Sequence, residues 1–447
     1  MSKTSQVVPS TIAKGNTMNK ARTRISPYGW VMIMLLLGLG AINFADKAVL
    51  GLAAVPIITE LHLSPAQYGL VSGSLFWLFA LSSVLVTGWS DRIGTKKVLA
   101  MLATIWAIVQ ITTVFVFSFP ALLLTRVVLG AGEGPSFGTS VSAATPWLPA
   151  DRRAFGLSVV SFGSAIGPAI FAPPLTFVIV IVGWRAAFAL LGGIGLLWVI
   201  LWLFVGREHP ETRPMPEQEM QGDRPRMHWS EMLPLLFSRT VIFSILAAFG
   251  AYWATALYLT WNPVYLVTVR HLRLSDPLYL AGITLPYLVG AISFIVFGAY
   301  ADRIFRSTGS YRRSYVYLLT VLLLVSALCL FLAVSVPSAL GSVFFFTIAL
   351  FGVTFPMVST IITAVAPEAH RGAVLGIVVA IFTLPGIIAP LVTGLIIQAA
   401  GKNVAVGFHN AYLLASLFLL VFGVVFLAFA RPDEQHLGEK GSIHVVL

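Results

Sequence analysis

The chain has 447 residues, of which 58% are hydrophobic and 10% charged, and its mean hydropathy is +0.91. That composition excludes a soluble globular protein, because uncharged apolar runs recur from end to end, as in a polytopic helical membrane protein. A single cysteine, Cys329, leaves no disulfide or thiolate metal site, and the eight histidines show no ligand spacing, so neither a metal nor a cofactor is expected.

Residues 1–26 are polar and basic and lack the short apolar core and cleavage site of a signal peptide, which reads as a cytosolic tail. Six apolar segments of membrane-crossing length follow, at roughly 28–58, 66–88, 97–118, 120–147, 154–182 and 184–205. A polar, proline-rich stretch, 206–230, then reads as a cytosolic linker. Six more segments lie at roughly 236–267, 277–300, 314–336, 338–366, 371–399 and 407–430, before a short C-terminal tail from 431 to 447. The predicted architecture is all-α: twelve transmembrane helices in two six-helix bundles, 27–205 and 231–430.

The first segment carries Asn43, Asp46 and Lys47 in mid-span. An ionisable group at that depth costs several kcal/mol (about 2.5–3.5 on insertion scales) unless it faces a cavity or a partner, so it marks a functional site by default. Asp46 and Lys47 point about 100° apart on a helix and so look for different partners. The fourth segment places Arg126 and Glu133 seven residues apart, hence on one face. The guanidinium offers a planar fork for a carboxylate, and the buried carboxyl is suited to carry a proton. A purely structural ion pair is the alternative for each set. In the fifth segment Ser158, Ser161 and Ser164 share a face and can contact substrate or bond back to their own helix. Tyr252, Trp253, Tyr258, Trp261 and Asn262 in the seventh segment, and Tyr287 in the eighth, are candidates for the second half's side of a pocket, or for packing. No ionisable residue lies deep in a span of the second half, which confines charge handling to the first.

Charge placement fixes the expected orientation. With the N-terminus inside, 21 of the 28 lysines and arginines fall on cytosolic connections and four outside; Lys47 and Arg126 are intramembrane and Arg239 stands at a helix entrance. Both termini are therefore expected in the cytosol of an inner-membrane protein. The net charge of +11 is topological bias and lipid contact, with no nucleic-acid partner.

The halves repeat. Gly88 with Asp91-Arg92, Gly94 and Lys96-Lys97 after the second segment is echoed by Gly298 with Asp302-Arg303 and Arg306 after the eighth. Pro149 to Arg153 and Leu157 is echoed by Pro367 to Arg371 and Leu375. Each leads into a helix interrupted by glycine and proline, 162–175 and 382–395. Parallel repeats about a cytosolic linker are the layout of a rocking transporter. Asp-Arg clusters at the cytosolic ends can hold the halves together in one state and release them in the other. Gly88, Asp91, Arg92, Gly94, Lys96, Lys97, Asp302, Arg303, Arg153 and Arg371 are accordingly expected to form a cytosolic gate.

On these motifs the chain resembles the major facilitator superfamily from Tyr28 to about Ala430. Asn43-x-x-Asp46-Lys47 and Arg126-x-x-x-Gly130-x-x-Glu133-Gly134 are similar to its anion:cation symporter branch, which includes sugar-acid permeases. That branch usually has arginine where Lys47 stands. It often carries an amide in the eleventh helix, where this chain reads Ile381-Phe382-Thr383-Leu384-Pro385-Gly386. The resemblance implies a functional monomer whose first and fourth helices line the cavity. The expected function is secondary active import of an organic anion, such as a carboxylate or sugar acid, with protons, by rocker-switch alternating access. Asp46 and Glu133 would carry protons. Lys47 and Arg126 would bind the anion, with Asn43, Ser161, Ser164, Tyr258, Trp261, Asn262, Tyr287 and Thr383 as further substrate contacts. The expected partners are the anion, protons and membrane lipid, and no enzyme chemistry is expected, since no nucleophile–base set or phosphate loop appears. An exporter or uniporter of a neutral or aromatic molecule, and a non-transporting membrane sensor, are the alternatives.

Overall fold

The computed structural model describes residues 25–149, 152–209, 229–352, 355–367 and 371–434. Most of the two tails and of the linker expected at 206–230 lie outside these residues, and so do the side chains of Asp91 and Arg92. Among the described residues the chain is helical, without strands. Ten helical stretches are long and apolar enough to cross a bilayer. The second crossing, Pro65–Ile93, and the fourth, Phe119–Glu133 continued by Ser136–Ala144, complete the twelve of an integral multi-pass membrane protein.

The breaks in these helices have local causes. The first, Pro27–Leu52, starts at Ser26, whose Oγ accepts from the Gly29 amide at 2.9 Å. It ends at Leu52, short of the expected 58, and a separate turn, Ala54–Glu60, follows. Pro56 has no N–H to bond back to Leu52, which removes one rung of the ladder there. Pro135 likewise divides the fourth crossing just after Glu133. The eleventh crossing divides between Phe382 and Pro385, as its glycine and proline content led us to expect, into Arg371–Phe382 and Pro385–Ala399. The fifth does not: Arg153–Ile181 runs unbroken through Pro168, Pro173 and Pro174.

Close helix approach rests on a few glycines. A Cβ at Gly130 or Gly134 would overlap the carbonyl oxygens of Leu75 or Phe79, so the fourth helix lies directly on the second. The same device joins the two halves at the end remote from the termini. There Gly51 faces the Leu259 carbonyl, Gly69 the Pro390 carbonyl and Gly394 the Pro65 carbonyl. The Tyr68 hydroxyl sits between the Leu50 and Thr260 carbonyls, 3.2 Å from each, and the Ala66 amide donates to Gln398 Oε1 at 3.3 Å. One hydrophobic core runs through both halves at this end, from Ala45 and Leu50 to Leu257 and Trp261. A second core, from Met32 to Trp202, is confined to the first half. Towards the termini, Gly298 and Gly376 face open space. The close contacts named here thus seal the halves at the end remote from the termini.

That seal is testable. Gly51→Val puts a branched side chain against the Leu259 backbone, which has no rotamer to move. The expected result is a shift towards the form open at the remote end. In a Cys329→Ser background, a cysteine at Leu50 should then be alkylated several-fold faster by an impermeant maleimide added from that side. An unchanged rate would show that the glycine contact does not set the closed state.

Outside the membrane-spanning segments, Glu60 ties the end of the first crossing to the sixth. Its carboxylate accepts from Trp184 Nε1 at 2.7 Å and from Arg185 Nη1 at 2.5 Å. Arg185 also donates to the carbonyls of Val114 and Val116 at 3.0 and 2.8 Å. The Trp184 hydrogen bond first, and then the Arg185 guanidinium, hold the Glu60 carboxyl below its usual range.

Candidate functional site

A cavity of about 240 Å³ lies between the halves, below the seal. From the first half its wall includes Asp46, Lys47, Arg126, Ser161 and Ser164; from the second it includes Tyr252, Tyr287, Phe294 and Phe355. Among the described residues, charged side chains line the cavity only from the first half, and they are almost completely buried: Asp46 is 1% exposed, Lys47 8% and Arg126 not at all. Glu133, also fully buried, is outside the lining and bonds to Lys47.

The four charges pair across helices. Lys47 Nζ donates to Glu133 Oε2 on the fourth helix, joining two residues 86 apart in sequence. It also donates to Asn43 Oδ1, one turn back on its own helix, at 2.6 Å. Asp46 Oδ1 accepts from Gln110 Nε2 at 2.7 Å, and the same amide's Oε1 accepts from Arg126 Nη2 at 3.0 Å. A third-helix glutamine therefore stands between the aspartate and the arginine. Thr113 Oγ1 accepts a weaker bond from Arg126 at 3.3 Å, and the Phe188 ring lies 5.1 Å from the guanidinium carbon.

The sequence had grouped Asp46 with Glu133, and Lys47 with Arg126, by chemical role. The structure crosses those groups: each acid is linked to a cation from another helix, Lys47 directly and Arg126 through Gln110. Arg126 and Glu133, two turns apart on one helix, do not bond each other; each finds its partner on a neighbouring helix. Gln110 was missed. Its signal in the sequence was a lone amide inside the apolar run from Val98 to Thr112, to which the argument for buried charges applies with less force.

Several polar atoms of this cluster keep hydrogen-bonding capacity in reserve. Asp46 Oδ2, Glu133 Oε1, and Nε and Nη1 of Arg126 are buried without a hydrogen-bond partner. Such orphans cost about 1–3 kcal/mol each, more for charged groups, and are uncommon in native interiors. Here those of Asp46 and Arg126 belong to residues of the cavity wall, as expected where a ligand or a proton is to be taken up.

The other candidate contacts separate cleanly. Ser161, Ser164 and Tyr287 line the cavity, Ser161 also bonding back to the Leu157 carbonyl at 2.9 Å. Asn43 lies behind it and orients Lys47. Tyr258 and Asn262 both donate to the Gly282 carbonyl and border a separate void of about 10 Å³. Trp261 donates to the Pro390 carbonyl at 3.0 Å and packs edge-on against Tyr68, which makes it part of the seal. Thr383 bonds the carbonyls of Val379 and Ala380 on its own helix, at 2.9 and 3.1 Å, away from the lining. Tyr252, named in the sequence among seventh-segment aromatics, is a wall residue, and Phe76, Phe294 and Phe355 join it.

Of the gate residues, Gly94 starts the third helix with φ +92°, and a side chain there would run into the Glu208 carboxylate. The Lys96 amide donates to Glu208 at 3.1 Å, and its Nζ to the Leu203 carbonyl at 2.9 Å. Asp302 accepts from the Tyr315 hydroxyl at 2.5 Å. Arg371 Nε donates to the Ala366 carbonyl at 3.1 Å, while Lys97, Arg153 and Arg303 are exposed. Gly94 and Lys96 thus meet Glu208 at the start of the linker, and Asp302 meets Tyr315 of its own half.

Comparison with known proteins agrees with this geometry. A hexuronate transporter of Bacillus subtilis is 28% identical over 410 residues, covering 90% of this chain and 94% of its own. A probable sulfoacetate transporter of Cupriavidus necator is 29% identical, over 88% and 93% of the two chains. A probable galactarate/D-glucarate transporter of Escherichia coli is 26% identical, over 88% and 93%. Among solved structures, an inward-facing bacterial homologue of the human lysosomal transporter Spinster superposes with a TM-score of 0.77 at 20% identity, over 92% of this chain and 98% of its own. A D-xylose–proton symporter superposes at 0.73 and 17%, over 91% and 99%. The model of the Major Facilitator Superfamily matches residues 36–349 and 308–444. With twelve crossings, a cavity between two repeated halves and that match over nearly its whole length, the chain belongs to the major facilitator superfamily.

Proposed function

We propose that this transporter imports an organic anion together with protons, by rocking its two halves about the central cavity. The observation that carries the reading is the cluster of two buried acids and two buried cations, of which Asp46, Lys47 and Arg126 line the cavity from the first half, with unpartnered atoms on Arg126, Asp46 and Glu133. The names of the three relatives above, for hexuronate, sulfoacetate and galactarate/D-glucarate, support the substrate class.

In the proposed cycle a substrate carboxylate takes the free N–H groups of Arg126, displacing Gln110 where it needs both edges of the fork. Protonation of Glu133 then frees Lys47 from its ion pair, so the cation becomes available to the same anion only when a proton has arrived. Asp46, joined to Arg126 through Gln110, senses the anion and is the second proton site. Release to the cytosol restores both links. The termini face the cytosol across an inner membrane, as lysine and arginine placement indicates. The Asp91-Arg92 and Asp302-Arg303 pairs, each towards the C-terminal end of its helix, form the gate on that side, and the monomer is the working unit.

Uptake into proteoliposomes tests the reading. An inward proton gradient should accelerate anion uptake, and Glu133→Gln should remove that acceleration. Gradient-independent uptake by the unaltered protein would sink proton coupling. A rival reading, export or facilitated diffusion of a neutral aromatic molecule, draws on the aromatic second-half wall; it would be supported by counterflow with neutral compounds and none with acids.

A further inference from the structure

The geometry points to a narrower substrate class: a monocarboxylate with an apolar, ring-sized body, in preference to the polyhydroxylated sugar acids that two of the relatives are named for. This inference rests on the anion reading just proposed and deepens it.

The cavity's hydroxyl groups are the first ground. Ser72 donates to the Tyr68 carbonyl at 2.9 Å, Ser161 to Leu157 at 2.9 Å, Thr255 to Ala251 at 2.9 Å and Thr260 to Ala256 at 2.7 Å. Each of these four hydroxyls spends its one hydrogen on a carbonyl of its own helix and keeps only acceptor capacity, which leaves Ser164, Tyr252 and Tyr287 as the lining hydroxyls with a hydrogen to give among the described residues. No asparagine, glutamine or charged side chain lines the cavity from the second half among the described residues. A hexuronate brings four or so hydroxyls, and each that enters without a full set of partners loses hydration it does not recover.

The second ground is the wall opposite the charges. Tyr252 lies 5.5 Å from Phe355 and 6.3 Å from Phe76, ring centre to ring centre, and Phe355 stacks on Phe382 at 5.4 Å and 2°. Tyr287 and Phe294 from the eighth helix continue the surface. Phe44, 37% exposed, brings a further ring to the cavity beside Lys47 Nζ, 4.8 Å from its centre. Rings presented from both halves favour an apolar or aromatic body by offset or edge-on packing.

The third ground is charge. Until Glu133 is protonated it neutralises Lys47, so the arriving anion meets Arg126 as the one cavity-lining cation with unpartnered N–H groups. One fork matches one carboxylate; a second carboxylate would meet the uncharged aromatic wall.

Isothermal titration of the purified full-length protein with phenylacetate, glucuronate, phthalate and neutral benzyl alcohol tests the inference. Phenylacetate is expected to bind at least tenfold more tightly than glucuronate or phthalate, with benzyl alcohol weaker still. Phe355→Asn, which sets an amide into the wall, should narrow the phenylacetate-to-glucuronate ratio by several-fold. Glucuronate binding as tightly as phenylacetate overturns the inference and leaves the anion reading standing, as does phthalate binding more tightly than phenylacetate. Benzyl alcohol binding as tightly as phenylacetate overturns both, and so does binding by none of the four. If Phe355→Asn does not fold, the ratio in the unaltered protein still decides.

Discussion

Arg126→Gln is expected to abolish saturable binding of the anion while the protein still folds. The guanidinium now has Gln110 and Thr113 on one edge and unpartnered Nε and Nη1 on the other. A glutamine can still bond Gln110, so the substitution removes the charge and the fork without leaving a buried cation unmatched. Hydrogen bonds to charged groups contribute about 1.5–3 kcal/mol each, and losing two corresponds to roughly 10²- to 10⁴-fold weaker binding. Arg126→Lys retains the charge but not the planar pair of donors and should fall between. Titration calorimetry reads the affinity, and a thermal unfolding midpoint near that of the unaltered protein shows that the loss is local. Binding of Arg126→Gln within threefold of the original would remove the arginine from the site.

The second large effect concerns Lys47 and Glu133. Both are buried, and the ion pair is the only charge each meets directly. Lys47→Ala leaves a carboxylate without its cation, and Glu133→Gln leaves an ammonium without its anion. Breaking one side of a buried pair costs about 3–5 kcal/mol, whereas replacing both sides with apolar groups is often close to neutral. The double substitution Lys47→Met with Glu133→Leu should therefore unfold at a higher temperature than either single variant, and a double-mutant cycle should give a coupling well above 1 kcal/mol. The double variant should also bind anion through Arg126 yet show no acceleration by a proton gradient. Additive single and double effects would mean that the pair does not act as a unit. This differs from what Asp46 and Lys47 suggest as sequence neighbours. There, Lys47 was an anion ligand together with Arg126; in the structure, its loss acts first through Glu133.

The fold was legible in the sequence because its signals are long and redundant. Twelve apolar runs, two copies of an Asp-Arg pair and a cation bias between the sides all point to one layout. The charged members of the site were legible for a related reason: a bilayer makes Asp46, Lys47, Arg126 and Glu133 conspicuous. Who pairs with whom was not. Helical periodicity relates residues on one helix, so it offered Arg126 and Glu133 to each other, whereas the actual bonds depend on how closely the second, third and fourth helices approach the first. That approach is set by contacts such as Gly130 on Leu75, which no single-helix pattern encodes. Aromatics failed for a similar reason. Tyr252, Tyr258 and Trp261 lie on one helix within ten residues and look alike in sequence. One faces the cavity, one braces the Gly282 carbonyl and one belongs to the seal.

The balance of the buried cluster has a further consequence for energetics. With both acids and both cations ionised its charges cancel, and the opposing wall adds none. On the proposed cycle, one monocarboxylate entering with two protons, one on Glu133 and one on Asp46, gives the loaded carrier one positive charge more than the empty one. An inside-negative membrane voltage, worth about 2.3 kcal/mol per charge per 100 mV, then adds to the work of the pH difference on each turnover. Such a carrier goes on concentrating its substrate when the pH gradient collapses, for as long as the potential remains.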